Sequence, residues 1–464
     1  MRAGVAAGHP ATAAAGVEIL ADGGGAADAA VAAGLAACVA ETVMTGLLGG
    51  GHAIYYDAAS GTARNLDCFC AVPGLGAEPS EPELVHLKVP FGVEVVHYAI
   101  GPASCAVPGV PAGLGALWEA HGRLPWPRLV EPALRLARDG VELPPAHAAC
   151  LAMLEPVMTM HEGARIYAPA GRLLRSGERL LQPGLVAALE SVAAEGAAGV
   201  YRGTIGRALL AVARQRGGQL TEGDLACYDA IWSGPHETAW LGMRLLSRNG
   251  LSSVPAALGR LPPLRRLSPA DRIVALVGAL DGGVGPETHT TNLVAVDADG
   301  NACVLTTSLG LGAGDWLPGL DLHLNSMLGE VDLLQGPLEP GARMQSMMAP
   351  SLVLDGGGLV LAVGAAGGSR LRTALVTVAA GIVDERLPPQ EAVERPRVHP
   401  VGSLVHAEPG VDEDGLAALE AAGRTVQRWP ERHHYFGGVS LSGRSGAAAD
   451  PRRSGAAVSA PGAT

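Results

Sequence analysis

The stretch TTNLVAVDADGNACVLTTSLG, residues 290–310, contains two runs of alternating residues on either side of an Asp-Gly pair. Such alternation is typical of β-strands, and an Asp-Gly pair between two strand-like runs predicts a hairpin turn. The first run begins inside THTT, residues 288–291, which carries more hydroxyl groups than the start of a strand requires. We therefore ask whether one of these threonines is a nucleophile.

Composition and charge exclude several classes of protein. The 464 residues carry a formal net charge of −12 without a basic stripe, which argues against nucleic-acid binding. No run of about 18 strongly apolar residues predicts a membrane helix, and the N-terminus lacks a signal-type apolar core, so a cytoplasmic protein is expected. Seven scattered cysteines without a C-x-x-C pair favour buried free thiols over disulfides or a zinc site. No cofactor is expected.

Two regions of different character meet near residue 288. In the first, an Ala-rich segment at 10–42 predicts two helices broken by DGGG, and a glycine-rich loop leads into a strand at 53–57. A helical pattern covers residues 103–235. Residues 240–287 mix Pro, Gly and Arg, and we interpret them as a loop or linker.

The second region is rich in hairpins. PSLVLDGGGLVLAVGAAGGS, residues 350–369, repeats the strand-turn-strand design, and RLRTALVTVAAGIVDE, residues 370–385, predicts a helix. The tail after residue 443 is low in apolar bulk, so we expect it to be flexible. The chain is therefore divided into residues 1–289 and residues 290–464.

Thr290 is the first candidate for a catalytic residue. A threonine hydroxyl is a weak nucleophile until a base takes its proton, and no G-x-S-x-G elbow indicates a serine hydrolase. One known alternative uses the nucleophile's own α-amine as the base, which requires the chain to be cut just before the threonine. A junction between a linker and a new sheet suits such a cut, although it equally suits a residue that only starts a strand.

Two more motifs offer groups for this chemistry. GAAGGSR, residues 364–370, joins a strand to a helix, and the backbone N–H groups of Gly367 and Gly368 could hold an oxyanion there. The alternative is a plain tight turn. Ser308 could hydrogen-bond a nucleophile, although polar residues at a strand end usually do no chemistry.

Histidine and cysteine pairs are weaker candidates. His433 and His434 are expected to point to opposite sides of a strand, so no metal site is predicted from them. Cys68 and Cys70 have no base placed beside them by the sequence, which favours core packing over a reactive thiol.

Taken together, the motifs resemble the gamma-glutamyltranspeptidase family of N-terminal-nucleophile hydrolases over most of the chain. VAAGHPATAAAGVEILADGGGAADAAVAAG and MTGLLGGG are similar to the start of that family's large subunit, and TTNLVAVDADGNACVLTTSLG is similar to the start of its small subunit. MQSMMAPSLVL, GAAGGSR, EAVERPRVHP and DPRRSGAA follow in the family's order. The resemblance implies an α+β fold, a four-layer αββα sandwich built from two subunits of one precursor.

The resemblance also implies the roles of individual residues. Autocatalytic cleavage of His289–Thr290 would give a large-subunit region of 289 residues and a small-subunit region of 175 (464 − 289). Thr290 would be the nucleophile and, through its new amine, the base. Gly367 and Gly368 would form the oxyanion hole. The remaining implied contacts are Ser308 to the nucleophile and Ser346 to the substrate carboxylate.

Several residues depart from the family's substrate-binding pattern. Phe69, in LDCFCAVPG, stands where the family has the arginine that clamps the glutamyl α-carboxylate, and an apolar ring cannot make that bidentate contact. The other departures are Gly310 for an asparagine, Met347 for the second paired serine, Gly329 for an acid with Glu330 one position on, and Asn292 for a histidine. Ordinary γ-glutamyl affinity should be lost unless Arg64, Arg343 or Glu330 substitutes.

Three functions remain open from the sequence. The first is a gamma-glutamyltransferase-like enzyme that passes a γ-glutamyl group from a glutathione-type amide to water or an amine through an acyl-Thr290 ester. The second is an acylase with the same chemistry on a less polar acyl amide of the glutaryl or cephalosporin type, which Phe69 and Met347 favour. The third is an unprocessed, non-catalytic member, which the diverged stretch before Thr290 favours.

Overall fold

The hairpin predicted at residues 290–310 is present and lies at the centre of the molecule. In the computed structural model, strands Thr291–Val296 and Ala302–Ser308 pair antiparallel, with Leu293 opposite Leu305. The structure describes residues 2–78, 82–91, 94–281, 290–330, 333–335 and 338–460.

The helices and strands of the described residues are numbered in chain order. The α-helices are α1 Pro10–Ala21, α2 Ala26–Ala40, α3 Val110–His121, α4 Trp126–Asp139, α5 Pro145–Met153, α6 Glu155–Met158, α7 Gly163–Tyr167, α8 Pro183–Glu195, α9 Gly199–Arg202, α10 Thr204–Arg216, α11 Glu222–Cys227, α12 Val254–Arg260, α13 Pro269–Leu280, α14 Arg370–Val383, α15 Pro389–Glu394 and α16 Glu413–Ala421. The strands are β1 Gly4–Ala7, β2 Gly50–Asp57, β3 Thr62–Cys68, β4 Val85–Phe91, β5 Glu94–Ile100, β6 Val141–Glu142, β7 Arg179–Leu180, β8 Ile231–Ser233, β9 His236–Trp240, β10 Met243–Ser247, β11 Thr291–Val296, β12 Ala302–Ser308, β13 Trp316–Leu317, β14 Leu322–His323, β15 Ser351–Asp355, β16 Gly358–Ala366, β17 Val398–Val401, β18 Leu404–Ala407, β19 Thr425–Arg428, β20 Gly438–Gly443, β21 Gly446–Ala449 and β22 Ala456–Ser459. None of these helices is long and apolar enough to cross a bilayer.

Two sheets and two helical layers form the predicted αββα sandwich. The first sheet has the strand order β22-β1-β11-β12-β2-β3-β8, and the second has the order β21-β20-β16-β15-β10-β9. Helices α1 and α2 cover the first sheet, α14 covers the second, and β11 and β12 pack on β16 between the two. In the first sheet, β1 from before residue 289 lies between β22 and β11 from after it, and β12 meets β2; in the second sheet the two regions meet between β15 and β10.

The side chains of β11 point alternately to two different hydrophobic cores. Leu293 and Ala295 join the cluster under the helices, whereas Val294 and Val296 join the cluster between the sheets. Successive strand residues point to opposite faces, so a strand buried on both sides needs apolar residues at every position. The part of β11 from Leu293 to Val296 meets that requirement.

Helix α2 is buried along its whole length, as its Ala-rich composition predicts. All 15 of its residues are buried, so neighbouring elements approach it from every side. A Cβ on Gly34 would lie 3.0 Å from Leu114 and 3.1 Å from Leu305. Small side chains therefore allow this helix to pack closely between the first sheet and the outer helices.

The interpretation of residues 240–287 as a loop or linker is wrong over most of its length. This stretch contains β10, α12 and α13, and Ser268 caps α13 by accepting a hydrogen bond from the Asp271 N–H at 3.1 Å. The prolines that suggested breaks, Pro255 and Pro269, lie in the first turn of each helix, where a missing N–H costs nothing. Residues 282–289 lie outside the described part of the chain.

The expectation of a flexible tail after residue 443 is also wrong. Strand β21 pairs with β20, and β22 pairs with β1 at the edge of the first sheet. Between them, buried Arg452 contacts Glu408 and Asp450, and buried Arg397 contacts Asp450 as well. Backbone pairing and these internal ion pairs hold the tail in place, although it contains few large apolar side chains.

Candidate active site

Thr290 lies directly before β11, at the wall of a buried pocket. Its relative exposure is only 2%, although the residue itself belongs to no helix or strand. The pocket is lined by Phe69, Thr290, Ser308, Met327, Glu330, Leu333, Ser346, Met347, Met348, Gly368 and Leu371. The structure thus brings together six of the residues selected from the sequence, from positions 69 to 368. The other residue of the predicted cut, His289, lies outside the described residues.

The hydroxyl groups of this pocket are held by their own backbone turns. The Ser308 hydroxyl oxygen accepts a hydrogen bond from the Gly310 N–H at 3.0 Å. The Ser346 hydroxyl oxygen accepts one from the Met348 N–H at 3.2 Å. Each serine side chain is therefore oriented before a ligand arrives.

Gly367 and Gly368 occupy the turn between β16 and α14. Their φ angles of +128° and +55° are in the region that favours glycine. Gly368 lines the pocket, whereas a Cβ on Gly367 would lie 2.8 Å from the Cα of Gly437. The predicted pair is thus kept free of side chains by backbone geometry and by close packing behind it.

Phe69 forms an apolar part of the pocket wall. It is 2% exposed, and its ring stacks on His52 with a centroid separation of 5.5 Å. Its carbonyl accepts hydrogen bonds from the Tyr228 hydroxyl at 2.6 Å and from Arg343 Nη1 at 2.7 Å. Its N–H donates to Asp67 at 2.9 Å. Both the N–H and the carbonyl of Phe69 are hydrogen-bonded, which fixes the position of its ring.

Neither arginine suggested as a substitute clamp lies at the pocket. The Arg343 guanidinium covers the Tyr228 ring at 4.4 Å and donates to the Phe69 carbonyl, so it holds the wall from behind. Arg64 lies over the Trp232 ring at 4.6 Å, in a separate groove. The prediction that Arg343 binds the substrate is therefore wrong, and Arg64 does not substitute for the missing clamp either, because each guanidinium lies over an aromatic ring.

Glu330 does line the pocket, and its position compensates for a missing side chain. A Cβ on Gly310 would lie 2.6 Å from Glu330 Oε1, so the carboxylate fills the space beside this glycine. A Cβ on Gly329 would overlap the carbonyl oxygen of Ala99, so that position admits no acid. The carboxylate that the family resemblance places at position 329 is therefore supplied by Glu330, one position later in the chain.

Asn292 lies away from the pocket and braces the two sheets. Its Oδ1 accepts a hydrogen bond from Thr306 at 2.7 Å, and a Cβ on Gly364 would overlap its side chain. The residue therefore packs β11 and β12 against β16.

Two residues near Thr290 escaped the sequence analysis. Arg248 donates from Nη1 to the carbonyls of Ser346 and Met348, both at 3.0 Å, and so orders the segment that carries the pocket methionines. Glu41, directly after α2, is 1% exposed and accepts a hydrogen bond from Thr291. Both lie far from Thr290 in the chain, and no local motif marked them.

The histidine and cysteine pairs have no part in this pocket. The rings of His433 and His434 are 4.1 Å apart at a 3-10 turn, so the prediction that they point to opposite sides of a strand is wrong. Cys68 and Cys70 are buried, and burial raises the pKa of Cys68 to about 12 and that of Cys70 well above its ordinary value. Cys68 and Cys70 are 1% and 0% exposed, which agrees with core packing, and their raised pKa keeps both thiols protonated.

A sequence model of the family described as gamma-glutamyltranspeptidase matches residues 12–273 and 277–460. The chain belongs to the gamma-glutamyltranspeptidase family. The resemblance read from the motifs is thereby confirmed for nearly the whole length of the chain.

Proteins similar to this gamma-glutamyltranspeptidase-family chain are named for different activities. Acylase ACY 1 proenzyme of Pseudomonas sp. (strain SE83) is 29% identical over 486 aligned residues, covering 91% of this chain and 87% of the relative. Glutathione hydrolase proenzyme of Pseudomonas aeruginosa is 28% identical over 457, covering 82% and 80%. The crystal structure of cephalosporin acylase from Bacillus halodurans matches with a TM-score of 0.83 at 24% identity, covering 99% and 96%, which supports the N-terminal-nucleophile hydrolase fold.

Proposed function

We propose that this chain is a self-cleaved threonine amidohydrolase or acyltransferase whose acyl group is less polar than a free γ-glutamyl group. The apolar wall around Thr290 is the observation that carries the proposal. Phe69, Met327, Met347 and Met348 line the same pocket as Thr290, and Glu330 is the one charged residue among the described lining residues. An apolar acyl chain gains from burial against such a wall.

The proposed reaction uses Thr290 twice. Cleavage of the bond before it frees an α-amine, which takes the hydroxyl proton as Oγ1 attacks the substrate's carbonyl carbon. The N–H groups of the Gly367–Gly368 turn stabilise the oxyanion, and Ser308 orients the hydroxyl. The amine of the substrate leaves with the proton, and water or a second amine then takes the acyl group from the Thr290 ester.

Charge in the pocket argues against a free γ-glutamyl group. Its α-carboxylate needs a cation, and the described lining residues include none. A good charged hydrogen bond is worth about 1.5–3 kcal/mol, so its loss lowers affinity substantially. Two of the similar proteins are named as acylases and not as glutathione hydrolases, which supports an acyl group other than γ-glutamyl.

A γ-glutamyl amide is the second candidate, because Glu330 and Ser346 both line the pocket. The Glu330 carboxylate would attract the α-ammonium, and the Ser346 hydroxyl could donate to the carboxylate. The names of the glutathione hydrolase relatives agree with this substrate.

Three anilides with acyl chains of equal length distinguish the two candidates. We expect pentanoyl nitroanilide to be hydrolysed with a kcat/KM at least roughly tenfold above that of γ-glutamyl nitroanilide, since about 1.4 kcal/mol corresponds to tenfold. Glutaryl nitroanilide, which keeps the carboxylate but lacks the amine, should be slowest because Glu330 repels it. Glu330→Gln should reduce the difference in kcat/KM between glutaryl nitroanilide and pentanoyl nitroanilide, because it removes the repelling charge. A γ-glutamyl rate above the pentanoyl rate would establish the second candidate instead.

A further inference from the structure

Thr290 borders a second cavity, separate from the acyl pocket. Like the acyl pocket, it is narrow and partly open, with room for about one water molecule. Its lining includes Gly8, Glu41, Thr290, Thr291 and Arg453. Since successive residues of an extended chain point to opposite sides, a Thr291 side chain that reaches this cavity leaves the backbone of Thr290 beside it and sends the Thr290 side chain away.

Glu41 is one of two acidic residues that line this cavity, the other being Asp450. The Glu41 carboxylate accepts one hydrogen bond from the Thr12 hydroxyl at 2.7 Å and a close one from the Thr291 hydroxyl. A Cβ on Gly8 would lie 2.5 Å from Glu41 Oε2, so the absence of a side chain there leaves the carboxylate open to the cavity. The acid is thus positioned firmly and faces the space next to Thr290.

The surroundings of Glu41 favour a carboxyl group that holds a proton near neutral pH. Burial raises its pKa to about 7, and the hydrogen bonds from Thr291 and Thr12 and the charge of Arg453 offset burial only in part. The other titratable groups around it are His9 and His147, each with a pKa lowered by burial; Cys38, whose pKa burial raises to about 12; and Asp450, which is paired with Arg397 and Arg452. Arg453 is therefore the cation nearest to the acid among these groups.

Self-cleavage poses a problem that these groups can solve. Before the cut, the nitrogen of Thr290 is an amide nitrogen, and it must gain a proton to leave the carbonyl carbon of the preceding residue. A glutamic acid with a raised pKa is a suitable donor, because it is protonated at neutral pH and still acidic enough to give up the proton. Thr290, which carries this nitrogen, borders the same cavity.

We propose that Glu41 is the proton donor to the Thr290 nitrogen during self-cleavage, acting through a water molecule in this cavity. The inference rests on the proposed function, since it concerns the cut that creates the catalytic amine. It assigns a role to a residue outside the acyl pocket that the hydrolytic mechanism does not use.

The proposed step balances as follows in atoms and protons. The Thr290 Oγ1–carbon bond forms as its hydroxyl proton passes to water, and the carbon–nitrogen bond breaks as the nitrogen receives the Glu41 proton. The product is an ester between the preceding residue and Thr290, with a free α-amine. Glu41 regains a proton from solvent, and one water hydrolyses the ester to a carboxylic acid and the free threonine hydroxyl.

The experiment follows self-cleavage of the whole chain as a function of pH. Chain made by cell-free translation at pH 8.5, where the donor would be ionised, is transferred to buffers from pH 5.5 to 8.5, and the two fragments are quantified on gels. We expect Glu41→Gln to cleave roughly 100-fold more slowly at pH 6, within the usual range for a general acid. The ratio of wild-type to variant rate should fall about tenfold per pH unit above pH 7 as the donor loses its proton.

Two further variants separate proton donation from a purely structural role. Glu41→Asp keeps an acid and should retain a pH-dependent rate, whereas Thr12→Val removes a hydrogen bond that favours the carboxylate. The second change should move the midpoint of the pH profile upward, since it raises the pKa of Glu41 further. Thermal unfolding of each variant shows whether it is folded.

Each outcome gives a definite answer. If folded Glu41→Gln is cleaved at the wild-type rate with the wild-type pH profile, the inference is wrong and the proposed function stands. If Thr12→Val leaves the midpoint unchanged, proton donation by Glu41 is also wrong. If the wild-type chain stays intact at every pH, both the self-cleavage in the proposed function and this inference fail together.

Discussion

The variant Thr290→Ala should remain a single chain of 464 residues, whereas the wild-type protein should separate on a denaturing gel into fragments of 289 and 175 residues. The variant lacks the hydroxyl that attacks both the preceding peptide bond and the substrate. Amide hydrolysis should therefore fall by on the order of 10⁴-fold or more, as it does when a nucleophile is removed from other hydrolases. Gel mobility, intact mass and anilide hydrolysis measure the two effects separately.

Thr288→Ala is the matched control for this change. It removes a hydroxyl two positions earlier, at a residue with no role in the proposed reaction. It should be cleaved at the same bond, and mass spectrometry of the smaller fragment should still begin at Thr290. A single wild-type band after prolonged incubation would rule out self-cleavage. A smaller fragment that begins at another residue would show that this residue, and not Thr290, is the nucleophile.

The second large effect concerns stability. Asp450→Asn should lower the free energy of unfolding by about 3–5 kcal/mol, the usual result of removing one partner from a buried ion pair. Asp450 lies between Arg397 and Arg452, and both guanidinium groups are 0% exposed in their side chains. With Asn at position 450, Glu408 is the one carboxylate left in this network to neutralise the two guanidinium groups.

The measurement is best made on the Thr290→Ala background, so that every variant is one chain. Urea unfolding should show a lower midpoint with an unchanged slope. Asp355→Asn is the control, since Asp355 forms an exposed pair with Arg444, and exposed pairs contribute little. An Asp450→Asn midpoint equal to that of the control would show that the buried network does not stabilise the tail.

The effect of Asp450→Asn should depend on pH in a defined direction. Burial alone would raise the pKa of Asp450, but Arg397 and Arg452 hold the pKa below its ordinary value. A depressed folded-state pKa contributes stability above the unfolded-state pKa and loses it as pH falls through the folded-state pKa. The difference between the parent and Asp450→Asn should therefore be largest near neutral pH and shrink in acid below about pH 4.

Local patterns predicted the layered fold well, because its elements carry their own signals. The hairpin at 290–310 has a turn pair and a period of two, and α14 has the length and apolar content of a buried helix. The stretch before Thr290 was harder to interpret, since Pro255 and Pro269 start helices there. A proline indicates a break in the preceding element but does not show whether a helix follows.

The candidate site could be predicted in membership but not in orientation. Motif order selected Phe69, Ser308, Glu330 and Ser346, all of which line the pocket with Thr290. The same reasoning misjudged Arg343, because side-chain direction depends on distant partners such as the Tyr228 ring. The pairing of Glu41 with Thr291 spans 250 positions in the chain, and no spacing rule covers such a distance.

The interleaving of strands has a consequence for the two fragments that the proposed self-cleavage would give. In the first sheet, β1 is hydrogen-bonded on both sides to strands from beyond residue 289, so neither product could leave without tearing the sheet. The uncut precursor folds as a unimolecular process, and its connecting segment keeps the two halves at a high effective concentration. Once the bond is cut, recovery from unfolding becomes bimolecular and slows on dilution, so the native pair persists only because its unfolding is slow.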